Sequence, residues 1–376
     1  MSPKMEYKRN PENSLQRWEA FWQRSVADRP PLVIRTRQQD TTDQVGGSST
    51  KREYLAFETR FEADHVRRSA ERAEEQFIRR LGVLDDTFPH VAGPGGLAAT
   101  GWIFGASVET VAGISWVEPI LDQIEDWRKI DFGAVRERFD RILGCYRILV
   151  EESRGRYAVS PGVLEGPADM VVRMLGEEKL GLALYDNPEA VDALFAFLAE
   201  LWSELAGKKL ELIPEYGGGT VSNGYWLPGK GIGIQEDFGQ MVSPRQFRET
   251  ILKHDRALKE KLGSMWFHVH SGGLHMAREI ADSGAFDCIQ VTNDYPAGPT
   301  AKEMLPTLQY IQERSCLILR KLSLDQLDSI FGHLSPEGLA IDIQCYDSTV
   351  TKDIQTTLMT HGEAERVIQW AENCMK

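Results

Sequence analysis

From about residue 157 to the carboxyl end, short apolar runs alternate with segments of helical periodicity, and that beat leaves few folds open. Tyr157–Ser160 reads as a strand, followed by helices over 167–184 and 188–206. Thr220–Trp226 reads as one strand, turned by Pro228-Gly229. Ser243-Pro244, a capping residue with proline at the first helical position, opens a helix over 244–262. Then come strand 264–270, helix 274–283, strand 287–292, helix 301–314, strand 316–320, helix 324–331, strand 339–344 and helix 361–374. The strands are apolar throughout rather than alternating, so both faces should be buried, as in a parallel sheet with helical crossovers. With seven or eight such units the most economical α/β architecture is a closed (β/α)8 TIM barrel, with its active site at the carboxyl ends of the strands. The competing architecture is an open, doubly wound sheet. No Gly-x-Gly-x-x-Gly follows a strand, so a dinucleotide site lacks support.

The amino-terminal part fits less regularly. Trp18, Phe21 and Trp22 lie at i, i+3 and i+4, giving a helix over 11–27 one apolar face. Arg29-Pro30-Pro31 breaks it, and Leu32-Val33-Ile34 reads as a short buried strand. The expected organisation is therefore an N-terminal helical extension over 1–30 and a barrel over 31–376. Residues 38–52 are polar and rich in Gly and Ser, as in a loop over one mouth of the domain. Helices are expected over 60–80 and 133–152. Between them Leu84-Asp85-Asp86-Thr87-Phe88-Pro89-His90 and Gly93-Pro94-Gly95-Gly96 form a loop, either functional or a tight turn with solvated acids.

The stretch Met265-Trp266-Phe267-His268-Val269-His270-Ser271-Gly272-Gly273 concentrates the chemistry. It begins as a strand and ends in a turn where glycine frees the backbone for close approach to a ligand. Residues two apart on a strand share a face, so His268 and His270 project together beyond its carboxyl end. Two imidazoles so placed suit metal ligation or acid/base work. A strand-end pair bonded to a neighbour, or to a substrate carboxylate, fits the same pattern. In a barrel the strand ends would also bring Arg35, Glu165, Trp226, Glu236, Asp294, Lys321 and Cys345 to one ring. Cys345 closes Leu339–Gln344 and, as a thiolate beside two imidazoles, completes the three-ligand, open-position pattern of a catalytic zinc. Taken alone, it also fits a small buried apolar residue.

Charge and composition narrow the partners. Lys+Arg 43 against Asp+Glu 56 gives a formal net charge of −13, which argues against nucleic acid or an anionic membrane as the main partner. No apolar run reaches the roughly 20 residues that span a bilayer, and the polar start Met1-Ser2-Pro3-Lys4 is not a signal peptide. Five widely spaced cysteines fit reduced thiols in the cytoplasm. Trp102, Trp116, Tyr225, Trp226 and Trp266 could line an aromatic pocket, although core packing accounts for most aromatics.

Several segments, in order, carry a family resemblance over residues 80–376. They are Gly166-Pro167-Ala168-Asp169 with Leu175-Gly176, Asp186-Asn187-Pro188-Glu189-Ala190-Val191, Glu236-Asp237 with Ser243-Pro244-x-x-Phe247, Phe267–Gly272 with Gly284-Ala285-Phe286-Asp287, and Thr360-x-x-Glu363-Ala364. Together they resemble the uroporphyrinogen decarboxylase superfamily, whose fold is a (β/α)8 barrel and which includes methylcobalamin:thiol methyltransferases. The resemblance to that methyltransferase branch implies Zn2+ held by His268, His270 and Cys345, with His270 standing where the branch has cysteine. Of the strand-end groups, Glu165, Glu236 and Asp294 could serve as acid/base or supporting groups, and the expected substrate-binding residues are Arg35, Arg37, Asp85, Tyr225 and Trp226. The zinc would activate a thiol or similar acceptor that exchanges a methyl group with a corrinoid. No Asp-x-His-x-x-Gly cobalamin motif occurs, so the corrinoid would arrive on a partner protein. The expected partners are thus a small-molecule substrate, a corrinoid protein and a second copy in a homodimer. The alternatives are a metal-free decarboxylase or lyase leaning on Arg35, Arg37 and Asp85, and a non-catalytic barrel that only binds corrinoid or substrate. The arginines at 35 and 37 lack the decarboxylases' Gly-Arg-Tyr context, and a protein of charge −13 without a basic cluster suits a polycarboxylate tetrapyrrole poorly.

Overall fold

A computed structural model describes residues 4–35, 57–111, 114–343 and 361–373. Seven of its strands form one parallel sheet. They are β1 (Leu32–Ile34), β4 (Val163–Glu165), β5 (Gly231–Gln235), β6 (Ser264–His270), β7 (Cys288–Thr292), β8 (Cys316–Leu322) and β9 (Leu339–Ile343), hydrogen-bonded in the order β1-β9-β8-β7-β6-β5-β4. Two further strands, β2 (His90–Ala92) and β3 (Ala158–Ser160), pair in parallel with each other, and only Pro161-Gly162 separates β3 from β4. Between β1 and β2, side chains replace a ladder. Asp85 Oδ2 accepts the Ile34 amide at 2.8 Å and Asp86 Oδ2 accepts the Leu32 amide at 2.9 Å. The ladders thus establish a parallel α/β sheet flanked by helices; a closed eight-strand ring goes further than they do.

The sheet divides two cores. Leu32, Ile34, Ile232, Ile234, Phe267, Val269, Ile289, Val291, Leu317, Leu319, Ile341 and Ile343 pack outward against the helices. Val33, Trp266, Cys288, Cys316, Ile318 and Ala340 point the other way. They meet Trp18 and Phe21 of helix Pro11–Trp22 and Tyr225, Trp226 and Leu227 of a β-hairpin. Period-2 alternation therefore persists, but both sets are apolar because both faces are covered. The helix is bound tightly: Trp18 donates to the Asp86 carbonyl at 2.9 Å, Trp22 donates to the Trp226 carbonyl at 2.6 Å, and Arg17 and Arg29 both pair with buried Asp86.

Most elements fall where the periodicity puts them, but β2 lies in the expected loop at 84–96, β4 was not expected, and three further differences bear on the site. Thr220–Trp226 is not one strand but a hairpin, Gly219–Ser222 and Tyr225–Pro228, turning at Asn223-Gly224. Both turn residues have positive φ, 53° and 86°, the two-residue geometry that Asn-Gly favours. Strand β5 was not among the expected strands. Its glycines are there for space: a Cβ on Gly233 would sit 2.2 Å from the Trp266 indole. Finally, Gly176 divides 167–184 into helices Pro167–Leu175 and Glu177–Asp186. Among the described residues no helix is long and apolar enough to cross a membrane.

Candidate metal centre

Strand register orders the polar side chains into two rows on the inner face. Glu165, Gln235, His268, Gln290, Ile318 and Ala340 stand side by side across β4 to β9. One step nearer the carboxyl ends stand His270, Thr292, Arg320, Asp342 and Val33. Such a concentration of buried polar groups inside a parallel sheet has a large desolvation cost and needs internal partners.

Those partners fix both imidazoles. Tyr225 donates to Asp342 Oδ2 at 2.5 Å, and the Gln290 amide nitrogen donates to Tyr225 at 2.6 Å. The Gln290 oxygen is thereby left to accept from His268 Nδ1, at 2.5 Å. Arg35 anchors the far end, pairing with Asp342 at 2.9 Å. His268 thus carries its proton on Nδ1 and presents a bare Nε2. Burial, aided by the charges of His270 and Arg320, pushes its pKa down to about 3, so it stays neutral. His270 is oriented the same way, with Nδ1 3.0 Å from both Asp294 oxygens. This bond raises the His270 pKa. Burial works against the Asp294 carboxylate, but the bonds from His270 and the Ser271 amide outweigh it and hold its pKa below the usual value.

The third arm is Asp237. It follows β5 by two residues, as His270 follows His268, so it stands beside His270 with Oδ1 3.9 Å from Nε2. One ligand atom each from Asp237, His268 and His270 lies within 4.8 Å of the others, and the three could hold a metal ion. Gln235 donates to Asp237 Oδ2 at 2.9 Å, and Asp169 accepts the Asp237 and Phe238 amides at 2.9 Å each, which fixes the loop. Two imidazoles whose Nδ1 groups are held by oxygen acceptors, plus a hydrogen-bonded carboxylate, is the donor chemistry of a divalent-metal site.

The other expected residues are scattered. Glu165 is 1 % exposed and paired with Arg173 at 2.6 Å; burial still raises its pKa, and its Oε2 makes no hydrogen bond among the described residues. Glu236 points away from the cluster. Its two oxygens accept the Ala168 and Asp169 amides at the start of helix Pro167–Leu175, beside buried Asp255. Asp294 supports His270. Arg35 is committed to Asp342, and Asp85 to Arg80, Thr87 and the Ile34 amide. Tyr225 is a link in the hydrogen-bond chain, whereas Trp226 is core, donating to the Tyr216 carbonyl at 2.8 Å. Arg37 and Cys345 lie outside the described residues. Gln290, Asp342 and Arg320 were not singled out from the sequence, and Asp237 entered only within the Glu236-Asp237 segment, with no role; once β5 is recognised, its pairing with β6 points to Asp237. Two surface hollows, beside Pro188 and Asp192 and beside Gly105 and Arg138, are lined by no residue of this cluster.

No protein-family model matches the chain, and no curated protein matches it.

Proposed function

We propose that the chain is a zinc-dependent methyltransferase on a (β/α)8 barrel, with Asp237, His268 and His270 as the protein ligands. The observation that carries the metal part is the pair of imidazoles, each with Nδ1 engaged, beside a carboxylate whose ligand atom lies within 4.8 Å of one atom of each ring. Two histidines and a carboxylate leave positions open for a substrate, and suit zinc or ferrous iron. Zinc there would lower the pKa of a bound thiol or polarise a bound oxygen. Cys345, a zinc ligand by the resemblance, is a candidate further ligand.

The chain's own groups supply orientation and proton handling. Asp294 and Gln290 hold the imidazoles in the ligating tautomer. Glu165, in the row of His268 and with a raised pKa, is the group best suited to accept a proton from an incoming thiol. In the transfer, the cobalt–carbon bond of a partner's methylcorrinoid breaks, cobalt keeps the electron pair and carbon bonds to sulfur. The metal-free decarboxylase reading is less well supported, because Arg35 and Asp85 are both committed to internal ion pairs.

Incubating zinc-loaded protein with methylcobalamin and a small thiol tests the reading through the visible spectrum of the corrinoid. The expected result is loss of the methylcobalamin bands with thioether formation, at least about 100-fold slower in Asp237→Asn. Carbon dioxide release from a carboxylate substrate without metal would point to the decarboxylase instead.

A further inference from the structure

Arg320 shares the carboxyl-end row with His270, two strands away on the inner face, with Thr292 between them. Strand spacing sets the two backbones on the order of 10 Å apart. Arg320 approaches Asp342 with Nε at 3.4 Å without hydrogen-bonding it, while Asp342 is already satisfied by Arg35 and Tyr225. Among the described residues its buried Nε has no hydrogen-bond partner, and its side chain is 22 % exposed. The hydroxyl of Thr292, fully buried on the same face, also makes no hydrogen bond among the described residues. Just past Arg320 the β8–β9 register shifts, and Lys321 takes a φ of 63°, an irregularity of the kind that re-aims a side chain beside a site.

The geometry points to Arg320 as the anchor for a substrate carboxylate, so that the acceptor is a short molecule bearing a metal-binding head, such as a thiol, and a carboxylate a few bonds away. This deepens the metal reading and rests on it for the head group. A guanidinium with no hydrogen-bonded acceptor offers two parallel N–H groups that match a planar carboxylate. The net charge of −13 would repel such a substrate at long range, so a dedicated cation beside the ion is what its capture requires.

The probes are 3-mercaptopropionate and its uncharged amide, titrated into Co2+-loaded protein by following the thiolate–cobalt absorption. The wild type is expected to bind the acid about tenfold or more tighter than the amide. Arg320→Met should erase that preference while keeping the same cobalt stoichiometry, and Arg320→Lys, which tests the point even if the methionine variant folds poorly, should keep only part of it. An undiminished preference in either variant overturns the assignment. If cobalt does not bind at all, the metal reading fails separately. Calorimetry of metal-free protein with succinate then decides about Arg320, and equal affinity in the wild type and Arg320→Met, or no binding in the wild type, overturns it.

Discussion

At the scale of single residues, the site is defined less by its ligands than by what holds them. Gln290 has one arrangement compatible with its neighbours: its amide nitrogen must face Tyr225, so its oxygen must face His268. Replacing it with leucine leaves the shape but frees the His268 ring to rotate or change tautomer. We expect Gln290→Leu to weaken metal binding about 10- to 100-fold, read by competition with a chromogenic chelator. His268 also leaves a mark on stability. In the folded, metal-free protein its pKa of about 3 keeps it neutral, whereas in the unfolded chain it gains a proton below about pH 6.5. The unfolded state therefore binds more protons across that window, and stability falls as pH is lowered. Between pH 6.5 and 5 this one group should cost about 2 kcal/mol in urea unfolding, and His268→Asn should lack that part of the slope.

At the scale of elements, the strand–helix beat was legible wherever a strand is written in branched and aromatic residues. Strand β6 and helix Leu274–Ser283 fall at their expected limits. Strand β5 was hidden because its glycines serve neighbours instead of contributing side chains: Gly233 clears room for Trp266, and Gly231 for the Ser264 carbonyl and Leu227. With it went the signal for Asp237, since only the pairing of Gln235 with His268 shows that Asp237 stands next to His270. The hairpin at Asn223-Gly224 was missed although Asn-Gly marks such turns, because its two short arms read through as one apolar run. Gly233→Ala should confirm the packing argument. The methyl group cannot be accommodated unless the indole moves, so we expect a loss of about 1 to 3 kcal/mol in thermal or urea unfolding. A neutral result would mean that Trp266 is not held against β5.

At the scale of the whole molecule, a parallel sheet with buried polar rows at its carboxyl ends follows from the sequence; which of those polar residues converge does not. His268 and His270 were readable because they sit two apart on one strand. Asp237, Gln290 and Asp342 join them from three other places in the chain, and Glu236, next to Asp237, turns away to accept the amides of helix Pro167–Leu175. Adjacent residues past a strand face opposite ways, and no spacing rule says which of two acids faces inward until the register is known. The central claim is that Asp237, His268 and His270 grip one ion. Elemental analysis of the purified, extensively dialysed protein tests it most directly, run beside His268→Ala and Asp237→Asn. The account predicts about one zinc per chain in the wild type and less than about a tenth of that in either variant. A dialysed wild type free of divalent metal even after reconstitution, or variants that keep a full equivalent, would contradict it.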